Sequence, residues 1–165
     1  MSLGYKLIGN RFAYRFEKPN FDFLRKTLPN EFKPKFKVKN NQNVFEIDIQ
    51  GKVGNIFRII IRQNQINPLN FSVIFGVVLD GKLFRLKRYN GDSHEHTNKI
   101  EGNEMEGFHI HTATQRYQER GYQPEGYAEP SKKYSDWQNA LKTMLRENNF
   151  KMSVDNNQKR MGEWN

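Results

Sequence analysis

All four histidines of the chain fall within 18 residues, as His94-Glu95-His96 and His109-Ile110-His111. Imidazole is the side chain whose ordinary pKa, about 6.5, lets it take or give a proton near neutrality. It is also a common transition-metal ligand. A His-x-His spacing on a strand points both rings to one face, because alternate residues share a side. Phe108 and Ile110 are apolar and are expected to face a core, so His109 and His111 are expected on the opposite face.

Two chemistries fit. The first is metal-independent cleavage of RNA. One imidazole accepts the 2′-OH proton, another protonates the departing 5′-oxygen, and cations steady the charge on phosphorus. His109 and His111 are the acid–base candidates, with His94 and His96 on the preceding loop supporting or sharing the chemistry. The cations come from neighbouring strands. If Phe84 and Leu86 face the core, Arg85, Lys87 and Tyr89 face outward, with Arg88 beside them; if Phe57, Ile59 and Ile61 face inward, Arg58 and Arg62 face out. Arg85, Lys87, Arg88, Arg58 and Arg62 are therefore the expected nucleic-acid contacts. The second chemistry is metal binding: zinc or another transition metal held by His94, His96, His109 and His111, with Glu95 or Glu101 as a carboxylate ligand. The spacing His94-x-His96-x4-Glu101 resembles half of a cupin metal motif, although Gly91 stands only three residues before His94 and no second half follows. A third reading needs no chemistry: a module that binds nucleic acid or protein through its basic sheet face. In the first reading no cofactor is required.

The elements that must position these residues are legible as changes of period. Residues 35–39 and 45–50 alternate apolar and polar or charged residues, and Phe57, Ile59 and Ile61 alternate with Arg58, Ile60 and Arg62, as strands do. Phe71–Leu79 is apolar on both faces and reads as a central strand. Asp80-Gly81 joins it to the strand Lys82–Tyr89 as a hairpin turn. Gly107–Thr112 is the last strand, after the acidic, Gly-containing loop 90–106. Ser135-Asp136-Trp137-Gln138 forms a capping box, and Trp137, Ala140, Leu141, Met144 and Leu145 then share one face of a helix from about Ser135 to Asn148. Asn20–Leu28 reads as a shorter helix ended by Pro29. The expected architecture is α+β: an antiparallel meander of five or six strands, covered on one face by the C-terminal amphipathic helix and the short N-terminal one. Residues 1–150 form one domain and residues 151–165 a mobile C-terminal tail. Tyr117, Tyr122, Tyr127 and Tyr134 can stack on bases or cover the edge of the core.

The chain has 165 residues and a net charge of +9. Residues 1–90 hold 17 Lys and Arg against 6 Asp and Glu, whereas residues 91–165 hold 10 against 12. That asymmetry points to a polyanionic partner, RNA above all, met by the first half. Cys is absent, which excludes disulfides and thiolate chemistry. No apolar run is long enough to span a bilayer, no leader is visible at the start, and a cytoplasmic location is expected. Phosphate-binding glycine loops and a G-x-S-x-G elbow are absent. A partly apolar free sheet edge would allow a homodimer.

Several runs together resemble an uncharacterised family of small bacterial and phage proteins: Phe84-Arg85-Leu86-Lys87-Arg88-Tyr89-Asn90-Gly91, His94-x-His96-Thr97-Asn98, Glu101-Gly102-Asn103 and Gly107-Phe108-His109-Ile110-His111. Ala113-Thr114-x-Arg116-Tyr117, Tyr127-Ala128-Glu129-Pro130 and Asn149-Phe150 extend the resemblance over about residues 82–150, and it implies no particular activity. A more distant similarity, that of a basic antiparallel sheet with His, Arg and Lys on one face, is to the barnase-like ribonucleases among toxin–antitoxin toxins. It implies an endoribonuclease of toxin or phage-defence type.

Overall fold

The computed structural model describes residues 5–8, 11–14, 26–29, 32–52 and 54–152. Among them, seven strands form one antiparallel sheet in the spatial order β12-β11-β8-β7-β6-β5-β4. The strands are β4 (Lys37–Lys39), β5 (Gln42–Gln50), β6 (Ile56–Asn64), β7 (Phe71–Leu79), β8 (Lys82–Asn90), β11 (His109–Thr112) and β12 (Tyr127–Pro130). Each pairs with the next along the chain. The meander is interrupted between β8 and β11, where a small hairpin of β9 (His96–Thr97) and β10 (Glu104–Met105) is inserted, and between β11 and β12 by a short helix and a 3-10 turn. The expected α+β class and antiparallel meander hold, with β7 in the middle of the sheet as its two apolar faces require, but the sheet has seven strands and not five or six, because Tyr127–Pro130 pairs with β11 as a further edge strand. Asp80 and Gly81 both take left-handed backbone, φ 48° and 73°, the conformation a tight two-residue hairpin needs.

The edges are short. Strand β4 has three residues, two of them Lys, and β12 ends in Pro130. Charge and proline at an edge oppose pairing with another sheet, so neither edge favours the strand-paired homodimer that the sequence allows.

One face carries the core. Phe57, Ile59 and Ile61 of β6, with Val73, Phe75 and Val77 of β7, are fully or almost fully buried there. Helix α2 (Trp137–Glu147) covers them through Ala140, Leu141 and Met144. Trp137 is half-buried at the border, its ring edge-on to Phe36 at 5.1 Å. The helix begins one residue later than the capping box implies. Asp136 is the cap, its Oδ1 accepting the Asn139 N–H at 2.7 Å, because a carboxylate is a stronger acceptor than the Ser135 hydroxyl. The preceding short helix α1 (Gln115–Glu119) is capped by Thr114.

Lys26–Leu28 differs from expectation. It is a strand, β3, not the last turn of a helix, and it pairs in parallel with β13 (Phe150–Met152). A propensity for helix over three residues yields here to backbone pairing with a distant segment. The rest of the expected N-terminal helix, residues 20–25, lies outside the described residues. So does 153–165, although Lys151 and Met152, assigned to the tail, belong to β13. A hairpin of β1 (Tyr5–Ile8) and β2 (Arg11–Tyr14) stands at the start. Among the described residues no helix is long and apolar enough to cross a membrane.

Strand β8 departs from simple alternation, and the departure decides the site. Phe75 pairs with Lys87 but Gly76 pairs with Arg85, so Leu86 is an extra residue in a bulge. Gly76 is required beside it, since a Cβ there would stand 2.5 Å from the Phe84 carbonyl oxygen. Past the bulge the phase of the strand is reversed. Tyr89 is fully buried in the core instead of facing outward, and its hydroxyl donates to Glu147 at 2.9 Å. Lys87 shares the helix side; against burial, hydrogen bonds from Lys133 and Tyr89 hold the Glu147 carboxyl below the usual range, and the Lys133 and Lys87 charges add to them. Arg85, Arg88 and Asn90 are left on the other face.

Candidate functional site

On the face away from α2, cross-strand pairing lines up two rows of side chains. Arg62, Ser72, Asn90 and His109 form one row across β6, β7, β8 and β11. Ile60, Ile74, Arg88 and His111 form the next. The loop after β8 folds back over this face, bringing His94, Glu95 and His96 above the rows. Gly91 allows the turn, because a Cβ there would run into the Leu69 carbonyl and the Phe71 ring. Residues 124–126, a 3-10 turn, close the other side. The enclosed pocket has a volume of about 220 Å³, and all four histidines line it together with Arg62, Arg85 and Arg88.

The sequence expectation that His109 and His111 lie opposite Phe108 and Ile110 is met, but neither ring is open to water. Their exposures are 0% and 1%. His109 Nδ1 lies 2.6 Å from the Gly107 carbonyl and His111 Nδ1 lies 2.9 Å from the Glu125 carbonyl. A carbonyl can only accept, so each Nδ1 carries the proton and each Nε2 is left as an acceptor. The donors that meet them agree. Asn90 Nδ2 lies 3.1 Å from His109 Nε2, and Arg88 donates from a terminal nitrogen to His111 Nε2 at 3.0 Å. Burial, then the Arg88 charge, pushes the His111 pKa down to about 2, and burial lowers that of His109. His111 is therefore neutral across the physiological range. Its Nε2 is taken up by the Arg88 guanidinium.

His96 is half-buried and His94 exposed. The His96 Nε2 donates to the Gly126 carbonyl at 2.9 Å and to Asn98 Oδ1 at 3.2 Å, which leaves its Nδ1 as acceptor. Its ring centroid lies 4.5 Å from that of His111 and 5.8 Å from that of His109, and the latter two are 5.0 Å apart. Three imidazoles thus touch one another, with the fourth at the mouth.

The guanidiniums are graded in depth. Arg62 and Arg85 are exposed, and Arg85 is tied to the buried Glu125 carboxylate at 3.0 Å. Arg88 is mostly buried, and burial followed by its Arg85 and Arg62 neighbours works against its charge, with Glu125 in favour. Guanidinium keeps its proton regardless. Its Nε is buried and has no hydrogen-bond partner. A buried charged donor without an acceptor is costly. Glu95 is the one carboxylate among the residues lining this pocket.

Three expected residues are elsewhere. Arg58 forks onto Asp48, at 2.6 and 2.9 Å, and reaches Glu46 at 3.2 Å, away from the pocket. Lys87 is on the helix side, as described. Glu101 is bound to the Tyr117 hydroxyl at 2.7 Å and to Arg116, so it does not join the histidines. Among the described residues no three His, Asp or Glu side chains are grouped so as to hold a metal ion. Of the tyrosines, Tyr117 and Tyr134 are buried; the Tyr134 hydroxyl bridges the Asn90 and His109 carbonyls at 3.0 and 2.9 Å.

Sequence reasoning missed Asn90, Glu125 and Ser72. Asn90 becomes visible once the bulge is known, since it follows Arg88 by two on the same face. Glu125 leaves no sequence signal, because only the tertiary path of the 3-10 turn brings it to Arg85. Comparisons with family models, curated proteins and solved structures find no match to this chain.

Proposed function

We propose that the protein is a metal-independent endoribonuclease of toxin or phage-defence type, with its reaction centre in the histidine–arginine pocket. The observation that carries this reading is the meeting of four imidazoles and three guanidiniums around one small cavity, including a buried Arg88 nitrogen that lacks an acceptor. A phosphodiester supplies acceptors for the guanidiniums and reacting protons for the imidazoles.

The roles follow from exposure. His94 and His96 are the imidazoles with surface to offer, so they form the proton-transfer pair. One, neutral, takes the 2′-OH proton as the 2′-oxygen bonds to phosphorus. The other, protonated, gives its proton to the 5′-oxygen as the P–O5′ bond breaks, leaving a 2′,3′-cyclic phosphate. Arg85, Arg62 and Arg88 hold the nonbridging oxygens. His109 and His111 lie beneath as positioning residues, fixing Asn90 and Arg88.

End-labelled RNA incubated with the protein in EDTA tests the reading. The expected result is cleavage to cyclic-phosphate ends, reduced about 10²–10⁴-fold in His96→Ala. Absence of cleavage on single-stranded and structured RNA alike, or cleavage unaffected by His96→Ala and by His94→Ala, overturns it. RNA bound with a steep salt dependence but not cut would leave a binding module.

A further inference from the structure

A second, larger cavity of about 550 Å³ adjoins the histidine pocket. Arg85, Arg88, Glu95, His96 and His111 line both, so the two are neighbouring lobes. Their sizes differ in a telling way. Small-molecule sites usually run from about 300 to 1,000 Å³. The histidine lobe falls below that range and suits a single phosphoryl group, while the larger lobe has room for the body of a ligand.

Their chemistry differs too. Moving away from the guanidiniums, the walls change to Tyr122, Tyr117, Gln123, Thr97, Lys99 and Gly126. Tyr117 is a fixed support. It is fully buried, its hydroxyl is bound to Glu101, and a Cβ on Gly126 would stand 2.7 Å from its ring. Tyr122 lies against it, ring centroids 5.8 Å apart, yet remains 44% exposed. An aromatic ring backed by a rigid neighbour and open on its other side is a stacking platform. Gln123 and Thr97 carry groups that donate and accept hydrogen bonds beside it.

We infer that the larger lobe is a nucleobase subsite, so that the site holds one nucleotide unit with its phosphate among Arg62, Arg85 and Arg88 and its base against Tyr122. This rests on the phosphate reading of the histidine pocket. It adds that recognition is of a nucleotide and not of a bare phosphate or sugar phosphate. It also accounts for the exposed aromatic: Tyr122 is one of few large apolar side chains left open among the described residues.

Titration calorimetry with inorganic phosphate, ribose 5-phosphate and 3′-nucleoside monophosphates tests it. Nucleotides are expected to bind about ten- to a hundredfold more tightly than ribose 5-phosphate, the range stacking on an aromatic ring supplies. Tyr122→Ala is expected to remove that advantage and Tyr122→Phe to keep it, while binding of inorganic phosphate to both variants reports an intact site. Nucleotides no tighter than ribose 5-phosphate, or an advantage that survives Tyr122→Ala, overturn the base subsite and leave the phosphate site standing. No binding by any of the three overturns both. Tight nucleotide binding without RNA cleavage sustains the subsite while removing the ribonuclease.

Discussion

Two cations are buried on opposite sides of the same sheet, and they are used differently. Lys26, fully buried, enters the core from β3. Its Nζ donates to the Asn148 carbonyl at 2.7 Å and stands 4.6, 5.1 and 5.2 Å from the ring centroids of Phe57, Phe75 and Phe150. Carbonyl and ring faces together replace the lost water. Arg88 sits among imidazoles and other guanidiniums, with a buried Nε that no acceptor meets. The first arrangement is complete and joins β3 to the end of α2. The second leaves one buried donor without a partner. Full satisfaction fits a structural cation, and the unmet donor of Arg88 is what the proposed phosphate site rests on.

The contrast can be broken by experiment. Lys26→Ala removes a buried stem from among three phenyl rings, so a loss of about 3 kcal/mol in unfolding free energy is expected by urea denaturation. Phosphate affinity should be unchanged; a parallel loss of affinity would mean that the two faces are not independent. The next effect is a pH dependence from the other face. His111 has its pKa lowered from an ordinary 6.5 to about 2. Between those values the unfolded chain binds a proton that the folded one does not, so stability is full above about pH 6.5 and falls with acid. From about pH 7.5 to 5.5 this one group removes roughly 1.4 kcal/mol. His111→Gln should flatten that slope, and an unchanged slope would show that His111 is not the group responsible. Smallest is Arg58→Ala. Its ion pair with Asp48 is largely exposed, so a change of about 0.2–1 kcal/mol is expected, with no effect on RNA cleavage. Loss of cleavage would restore Arg58 to the site.

The sequence reveals the sheet well and the site unevenly. Alternation in β5 and β6, the Asp80-Gly81 turn and the stripe of α2 are local patterns, and each is where its pattern places it. The phase of β8 is not local. Phe84-Arg85-Leu86-Lys87-Arg88-Tyr89 alternates plausibly in either register, and only pairing with Phe75 and Gly76 selects the bulge that turns Tyr89 in and Arg88 out. The parity of His109 and His111 is legible from Phe108 and Ile110. Their burial is not, because the cover comes from the β9–β10 insertion and the turn at 124–126. The two pairs differ for that reason: the strand pair is buried, His96 is half-buried and His94 is exposed. The pairing of β3 with β13 leaves no periodic trace at all, since three-residue strands are too short to show one.

That last pairing also sets a schedule. Lys26 and Asn148 are 122 positions apart, yet their contact closes the core. While the chain is being synthesised, every strand from β4 to β12 can emerge and pair with its neighbour. The ring cage around Lys26 must wait for Phe150. A chain that builds its histidine–arginine pocket from β6 to β12 would thus have the elements of that pocket outside the ribosome before the opposite face can shut. In such a protein the last step of folding is the sealing of the core and not the making of the site.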